Sequence, residues 1–532
     1  MPAFRSHRAL IMGRNGAIGA NHPLATQAGL DVLRAGGNAF DAAVATSLAL
    51  GVVEPMMSGL GGDGFYHVHV AATGAALVYN GTGPAPRAAT PEAFAAGIEV
   101  HGPRSVSVPA SLAGLAAMHA AHGAMPWAGL ATAAIGHARD GFAATHGYRH
   151  FAVDNWPQLE ADPRSRATFL PGGVPALGDI IAQPDLAATL EEVARGGVET
   201  FYRGDLAQRI VRGLVEAGTL ITAEDLAAVQ AEIVAPISVG YRGFEVRQVP
   251  PNSIGFVFLQ MLRIVERFDI AAMSPDARAH VLVEAKKRAF LSYERYGSDP
   301  RFQDVPVAEL LSDAAIDAHV AAIDLDRAAD LPLTSGASGD TTYFCVIDRE
   351  GNAVSAIQSI NSAFGSGVTA GDTGILLNNR MAYWHLAEGH ANRLAPGKRV
   401  RHTMNAPMVF KDGKLWAVFG TPGGDNQVQV NLQVLTDMID LGHDPQAAIE
   451  QPRWTHGQAG QAANWPHEGD GRLTVEPDFG PDTLAGLERR GHMLNRVGHL
   501  EAACLVQAIR LLDNGVRMAG SDPRRDGWAG AY

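Results

Sequence analysis

Apolar positions fall into two kinds of run along this chain. Residues 41–53 are rich in Ala, Leu and Val without alternation and follow Gly36, Gly37 and Asn38, which predicts a buried helix entered from a turn. Residues 65–70 and 75–80 predict a short pair of strands. Helical periodicity dominates residues 105–235, with breaks at Pro157, at Pro171-Gly172-Gly173 and at Gly196-Gly197. Thr222 followed by Glu224 and Asp225 reads as a helix start, with a Thr cap and acids in the first turn. Residues 281–296 predict another helix. Residues 325–340 carry Pro332, Thr334-Ser335-Gly336 and Ser338-Gly339 and predict an exposed linker. No internal repeat is evident.

Beyond that linker the pattern changes to strands. Residues 341–348 and 352–360 are β-rich and flank Arg349-Glu350-Gly351, a three-residue connection whose Gly can supply the left-handed conformation. That loop pairs Asp348 with Asn352. Counting back puts Thr341 opposite Ser359, with Asn361 just beyond on the same face. A two-residue loop would shift the pairing by one and separate them. An ordinary core hairpin carries the same pattern, so the register alone does not assign chemistry.

Composition narrows the classes. The 532 residues are 47% apolar and 18% charged, enough to bury a large core. The 60 Gly and 30 Pro are dispersed without a triplet period, which excludes collagen and extended disorder. Lys plus Arg number 42 against 55 Asp plus Glu, a net charge of −13 that argues against nucleic acid or an anionic membrane as partner. Cys345 and Cys504 are the two cysteines, which leaves no disulfide framework and no cysteine zinc site. The first twenty residues hold Arg5, Arg8 and Arg14 but no continuous apolar stretch, and the run from Ala42 to Val53 is too short to span a bilayer. The expectation is a soluble, cytoplasmic protein.

Several motifs carry possible chemistry. Gly59, Gly61 and Gly64 match G-x-G-x-x-G by letter, but the segment follows a helix and precedes a strand, the reverse of a dinucleotide site. Gly423 and Gly424 form a tight loop, either a plain turn or two backbone N–H groups facing an oxyanion. His67 and His69 alternate on a strand; without an acidic partner cluster they read as core or surface residues rather than metal ligands. No P-loop and no G-x-S-x-G elbow stands out.

The ordered set of motifs resembles the γ-glutamyltransferase family of N-terminal-nucleophile hydrolases. It includes Gly36 to Ala45, Gly51 to Pro55, Ser58 to Gly62, Phe201 to Gly204, Thr222 to Leu226, Pro250 to Ser253, Asp304 to Pro306, Gly339 to Tyr343, Asp348 to Ser355, Gly374 to Asn379, Gly420 to Gly424 and Ser521 to Arg525. The resemblance implies an α+β fold of four layers, αββα, made as one precursor that cuts itself between Asp340 and Thr341. Residues 1–340 would then be the large subunit and 341–532 the small one, joined as a heterodimer or a dimer of these. It implies Thr341 as nucleophile, with its freed α-amine as base, Ser359 as a hydroxyl bonded to it, Gly423 and Gly424 as oxyanion donors, and Asn361 as a ligand of the substrate amine. It implies no metal or cofactor.

The glutamate pocket departs from the family pattern. The Arg that clamps the substrate α-carboxylate aligns with Asn80. Where the family has Gln and Asp around the α-amino group, this chain has Arg380 and Tyr383. The family's Ser-Ser-Met aligns with His402-Thr403-Met404, and the segment between Trp384 and Lys398 is shortened. A cation replacing an anion disfavours a substrate ammonium and suits a carboxylate. The expected substrate is therefore a small carboxylate-bearing amide without an α-amino group, as in the related oxamate amidohydrolases and cephalosporin acylases. The alternatives are Arg380 paired with an internal acid as a structural residue, a true γ-glutamyltransferase or glutathione hydrolase with a rebuilt pocket, and an unprocessed, silent scaffold.

Overall fold

A computed structural model describes residues 6–333 and 340–532, with Asp340 described for its backbone alone. Of the linker expected from the sequence, residues 325–333 are partly exposed and partly half-buried, with the Ala328 and Leu333 N–H groups donating to the Arg490 and Ala459 carbonyls; its residues 334–339 and the Asp340 side chain lie outside the described residues. No helix among the described residues is long and apolar enough to cross a membrane.

The strands of the two large sheets are β1 (Ile11–Gly13), β2 (Gly16–Ala20), β3 (Asp63–Val70), β4 (Ala75–Gly81), β5 (Glu232–Val234), β6 (Ile237–Tyr241) and β7 (Phe244–Gln248), followed by β8 (Asp340–Asp348), β9 (Ala353–Asn361), β10 (Met408–Lys411), β11 (Lys414–Gly420), β12 (Gln507–Leu511), β13 (Arg517–Ser521) and β14 (Trp528–Ala531). Among the described residues they form two seven-stranded sheets. One runs β14-β2-β8-β9-β3-β4-β5 and the other β1-β13-β12-β11-β10-β7-β6.

Period-two alternation assigns each face. On β8, Tyr343, Cys345 and Ile347 face the second sheet and meet Met408, Val418 and Ile509. Phe344 and Val346 face the other way, onto α1 (Pro23–Arg34) and α2 (Ala39–Val53). The second sheet is covered on its outer side by α3 (Gly255–Val265), α4 (Pro275–Tyr296) and α5 (Gln427–Ile439). The result is the expected four-layer αββα sandwich.

The local expectations find specific causes. Helix α2 begins where Asn38 caps it: its side chain accepts from the Phe40 and Asp41 N–H groups while Asp41 accepts from the Asn38 N–H. Thr222 and Asp225 make the same reciprocal pair. In the hairpin, Gly351 adopts φ 88°, and Asp348 N–H donates to Asn352 C=O at 3.0 Å. The predicted register holds from Thr342 opposite Gln358 to Ile347 opposite Ala353. It shifts at the open end, where Asp340 pairs with Asn361 and Thr341 faces a bulge formed by Ser359 and Ile360.

Candidate active site

The bulge brings together two of the hydroxyls expected to act together. Thr341 Oγ1 donates to Ser359 Oγ at 3.3 Å, and Asn361 N–H donates to the same Ser359 oxygen at 2.8 Å. Asn361 takes φ 82°, a left-handed conformation that turns the chain back at the strand end. Thr341, Ser359 and Asn361 have the parity of the inter-sheet face, and all three are buried. Next to Thr341, the Thr342 hydroxyl donates to Glu54 at 2.6 Å.

The opposite sheet supplies the glycine loop. Strand β11 ends at Gly420 against the ring of Tyr343, so the loop after it reaches the start of β8. Gly423 has φ 121°, and a Cβ there would lie 2.4 Å from Cys504 Sγ; a side chain fits neither the backbone nor the space. Gly424 follows with φ 56°. Gly423, Ser362, Asn426 and Asn464 line one cleft of about 380 Å³. Asn464 Oδ1 accepts from Asn361 Nδ2 at 2.9 Å, which ties that cleft to the Thr341 bulge.

Arg380 does pair with an internal acid, one the sequence reading did not single out. Arg380 Nε donates to Asp63 Oδ2 at 3.1 Å, and both residues are buried. Asp63 stands directly across the sheet from Ser359 and accepts the Gly83 N–H at 2.7 Å. Burial lifts its carboxyl above the ordinary value, and the charge of Arg380 opposes that lift. Arg380 Nη1 approaches Asn361 Oδ1 at 3.4 Å, while Nη2 has no partner among the described residues. A short 3₁₀ turn, Arg380–Tyr383, places the guanidinium 4.6 Å from the Tyr383 ring centroid. Tyr383 in turn lies 3.2 Å, oxygen to oxygen, from Thr403.

His402 packs its ring edge-on against Phe65 and makes hydrogen bonds through its backbone. Its N–H donates to Asn252 C=O and its C=O accepts from Ile254 N–H, each at 2.7 Å. Neither ring nitrogen has a hydrogen-bond partner among the described residues; Nε2 lies 4.0 Å from Asp63 Oδ2. Burial, with Arg380 and Arg399 nearby, keeps this imidazole well below its ordinary pKa and therefore neutral. Asn80 is different. Its oxygen accepts from Thr82 N–H and Oγ1, and its Nδ2 donates to Glu232 and Asn252, so its hydrogen bonds are internal.

His67 and His69 are buried in the core, with His67 Nδ1 2.8 Å from Ala406 O. Two clusters among the described residues have metal-ligand spacing, and both already contain cations. Glu284, beside His280 and His492, accepts from Lys287 and Arg288. Arg401 lies 3.1 Å from His385 and 3.0 Å from Glu294, beside His390.

Comparison with known proteins gives consistent likenesses. The family model described as gamma-glutamyltranspeptidase matches residues 25–532. The glutathione hydrolase-like YwrD proenzyme of Bacillus subtilis (strain 168) is 39% identical over 527 residues, covering 98% of this chain and 99% of that protein. The oxamate amidohydrolase proenzyme of Klebsiella pneumoniae is 36% identical over 530 residues, covering 97% and 98%. The crystal structure of cephalosporin acylase from Bacillus halodurans superposes with a TM-score of 0.90 at 34% identity, covering 100% of this chain and 98% of that one.

Proposed function

The chain belongs to the gamma-glutamyltranspeptidase family of N-terminal-nucleophile hydrolases, and from that premise we propose that it is a self-processing amidohydrolase acting on a small carboxylate-bearing amide. The observation that carries this reading is the 3.3 Å approach of the Thr341 and Ser359 hydroxyls in a bulge that begins at Asp340.

In the precursor, Thr341 Oγ1 attacks the Asp340 carbonyl carbon. The amide nitrogen leaves as the N→O shift gives an ester, and water releases residues 1–340 from residues 341–532. The new α-amine has a reference pKa of about 7.7–8.0, so part of it is neutral near pH 7 and can take the Thr341 hydroxyl proton. The hydroxyl then attacks the substrate amide, the amine leaves, and water hydrolyses the acyl ester. Gly423 and Gly424 N–H groups serve the developing oxyanion, each worth about 3–4 kcal/mol in such sites. Ser359 orients the Thr341 hydroxyl. Asn361, Tyr383 and Thr403 border the substrate; Asn80 holds the wall behind them through Thr82 and Asn252.

The unpartnered Arg380 Nη2 and the unpartnered nitrogens of His402 support a substrate acid group, since buried polar atoms without partners are rare in folded proteins. A γ-glutamyl hydrolase or transferase with a rebuilt pocket is the second reading, favoured by the likeness to the glutathione hydrolase-like protein. Intact mass and N-terminal sequencing of the purified protein, followed by a panel of oxamate, succinamate, glutaramate, glutathione and a γ-glutamyl anilide, test both. The first reading requires two chains, a new N-terminus at Thr341 and turnover of at least one acid amide. Two chains that turn over the γ-glutamyl compounds alone establish the second.

A further inference from the structure

Three buried groups meet beside Ser359 with an uneven balance. Asp63 already matches the charge of Arg380 through the 3.1 Å contact to Nε. His402, 4.0 Å from the same Asp63 oxygen, is neutral and unpartnered at both ring nitrogens. A substrate carboxylate arriving at Arg380 Nη2 would leave one uncompensated negative charge among groups that are all nearly inaccessible to water. The free imidazole is the group placed to balance it.

We propose that Asp63, Arg380 and His402 form one specificity unit, in which Asp63 positions the guanidinium and His402 takes up a proton from solvent as the substrate carboxylate binds. This rests on the acid-amide reading above. Asp63 fixes the guanidinium by Nε and so leaves Nη2, with the weakly engaged Nη1, for the incoming acid. The proton joins a ring nitrogen of His402 and no covalent bond changes. The charged groups that act on His402 are Asp63 on β3, Arg380 in the 3₁₀ turn and Arg399 upstream on its own segment. The two cations and burial hold the imidazole neutral; a bound anion reverses the balance. A neutral acyl group gains nothing from this proton.

The test compares oxamate, succinamate and glutaramate with their methyl esters on the self-cleaved enzyme. The ratio of KM for acid to KM for ester is followed from pH 6 to pH 9, so that titration of the Thr341 amine, common to both probes, cancels. One coupled proton makes the ratio rise by up to about tenfold per pH unit between the pKa of the free imidazole and its higher value in the complex. In His402→Gln the ratio becomes independent of pH, and in Asp63→Asn the acid binds more tightly with a shallower slope. Self-cleavage at Thr341 and a thermal melt verify that each variant folds; His402→Gln carries the test if Asp63→Asn does not. A flat ratio in the wild type, or a slope retained in His402→Gln, overturns the proton coupling while the acid amides are still cleaved. Failure to cleave any of the three acids overturns the substrate reading and this inference with it.

Discussion

Asp63 and Ser359 are cross-strand neighbours, so a buried carboxylate stands one strand away from the hydroxyl that meets Thr341. Left alone, that negative charge would favour the protonated form of an amine at Thr341 and oppose its use as a base. Arg380 cancels it at 3.1 Å, and His402 adds none while neutral. The pocket and the proposed nucleophile thus share one electrostatic balance, and changes in the first should register in the second.

Arg380→Met breaks that balance. Removing one partner of a buried pair strands the other, at a cost of about 3–5 kcal/mol, whereas replacing both is often near neutral. Urea unfolding of Arg380→Met should show a large loss of stability, and Arg380→Met/Asp63→Asn should recover most of it. If the double variant is no more stable than the single one, Asp63 and Arg380 are not energetically coupled as the 3.1 Å contact requires.

Thr341→Ala should remain one chain on a denaturing gel, with no amidase activity. Ser359→Ala keeps the proposed nucleophile but removes its hydroxyl partner. Its kcat should fall by about 10²-fold with KM changed by no more than about threefold, the pattern of a group that assists proton transfer. Self-cleavage in that variant should slow as well, since the proposed mechanism uses the same hydroxyl in both attacks.

Gly423→Ala tests the proposed oxyanion loop. At φ 121° a Cβ is strained, and it would sit 2.4 Å from Cys504 Sγ. Strain and overpacking together cost about 1–3 kcal/mol of stability, and displacement of the N–H should lower kcat by about 10²–10³-fold. Adding Cys504→Ala relieves the steric part alone, so thermal stability should return further than kcat. A full return of kcat would mean that the backbone conformation at Gly423 is not what turnover needs.

Much of this site is legible in the sequence. The hairpin register followed from loop length and from Gly351, and it holds from Thr342 to Ile347. The bulge opposite Thr341 is not, because strand alternation counts residues and cannot show where a ladder slips. Ser359 still met Thr341, since the slip lies within reach of their side chains. Asp63 was the main omission. It sits at the end of a glycine run read as a rejected dinucleotide motif and, up to Gly62, as one of the family motifs, and its partner lies 317 residues away. A charged residue amid glycines at the edge of a buried strand was the available signal, and its meaning depended on Arg380. Asn80 shows the converse: its place was readable from its neighbours in the sequence, but the four internal hydrogen bonds of its amide were not.

The segment around Ser521 to Arg525 matters through charge. Asp522 accepts from Arg453 Nη2 at 2.7 Å, Arg524 Nη1 at 3.2 Å and Val506 N–H at 3.0 Å. Arg453 Nη1 reaches the carbonyls of Ala503 and Cys504, and Leu505 N–H donates to Thr421 Oγ1 in the Gly423 loop. Burial pushes the Asp522 carboxyl up, but Arg453 and Arg524 outweigh it and hold the group below the ordinary carboxylate range. A carboxyl with a lowered folded-state pKa binds fewer protons folded than unfolded. Its contribution is therefore complete above the unfolded value of about 3.9 and is lost as pH falls through the lower folded value. Asp522→Asn should cost about 3–5 kcal/mol at pH 7, because the buried Arg453 guanidinium loses its carboxylate partner while Arg524 keeps Glu476. The gap between wild type and variant should narrow as pH is lowered below about 4, read from urea midpoints at each pH. Because the same contacts brace Cys504 against Gly423, kcat should fall in the folded variant at pH 7 while KM holds. A gap that stays constant down to pH 2 would place the ionisation of Asp522 outside the stability of this segment.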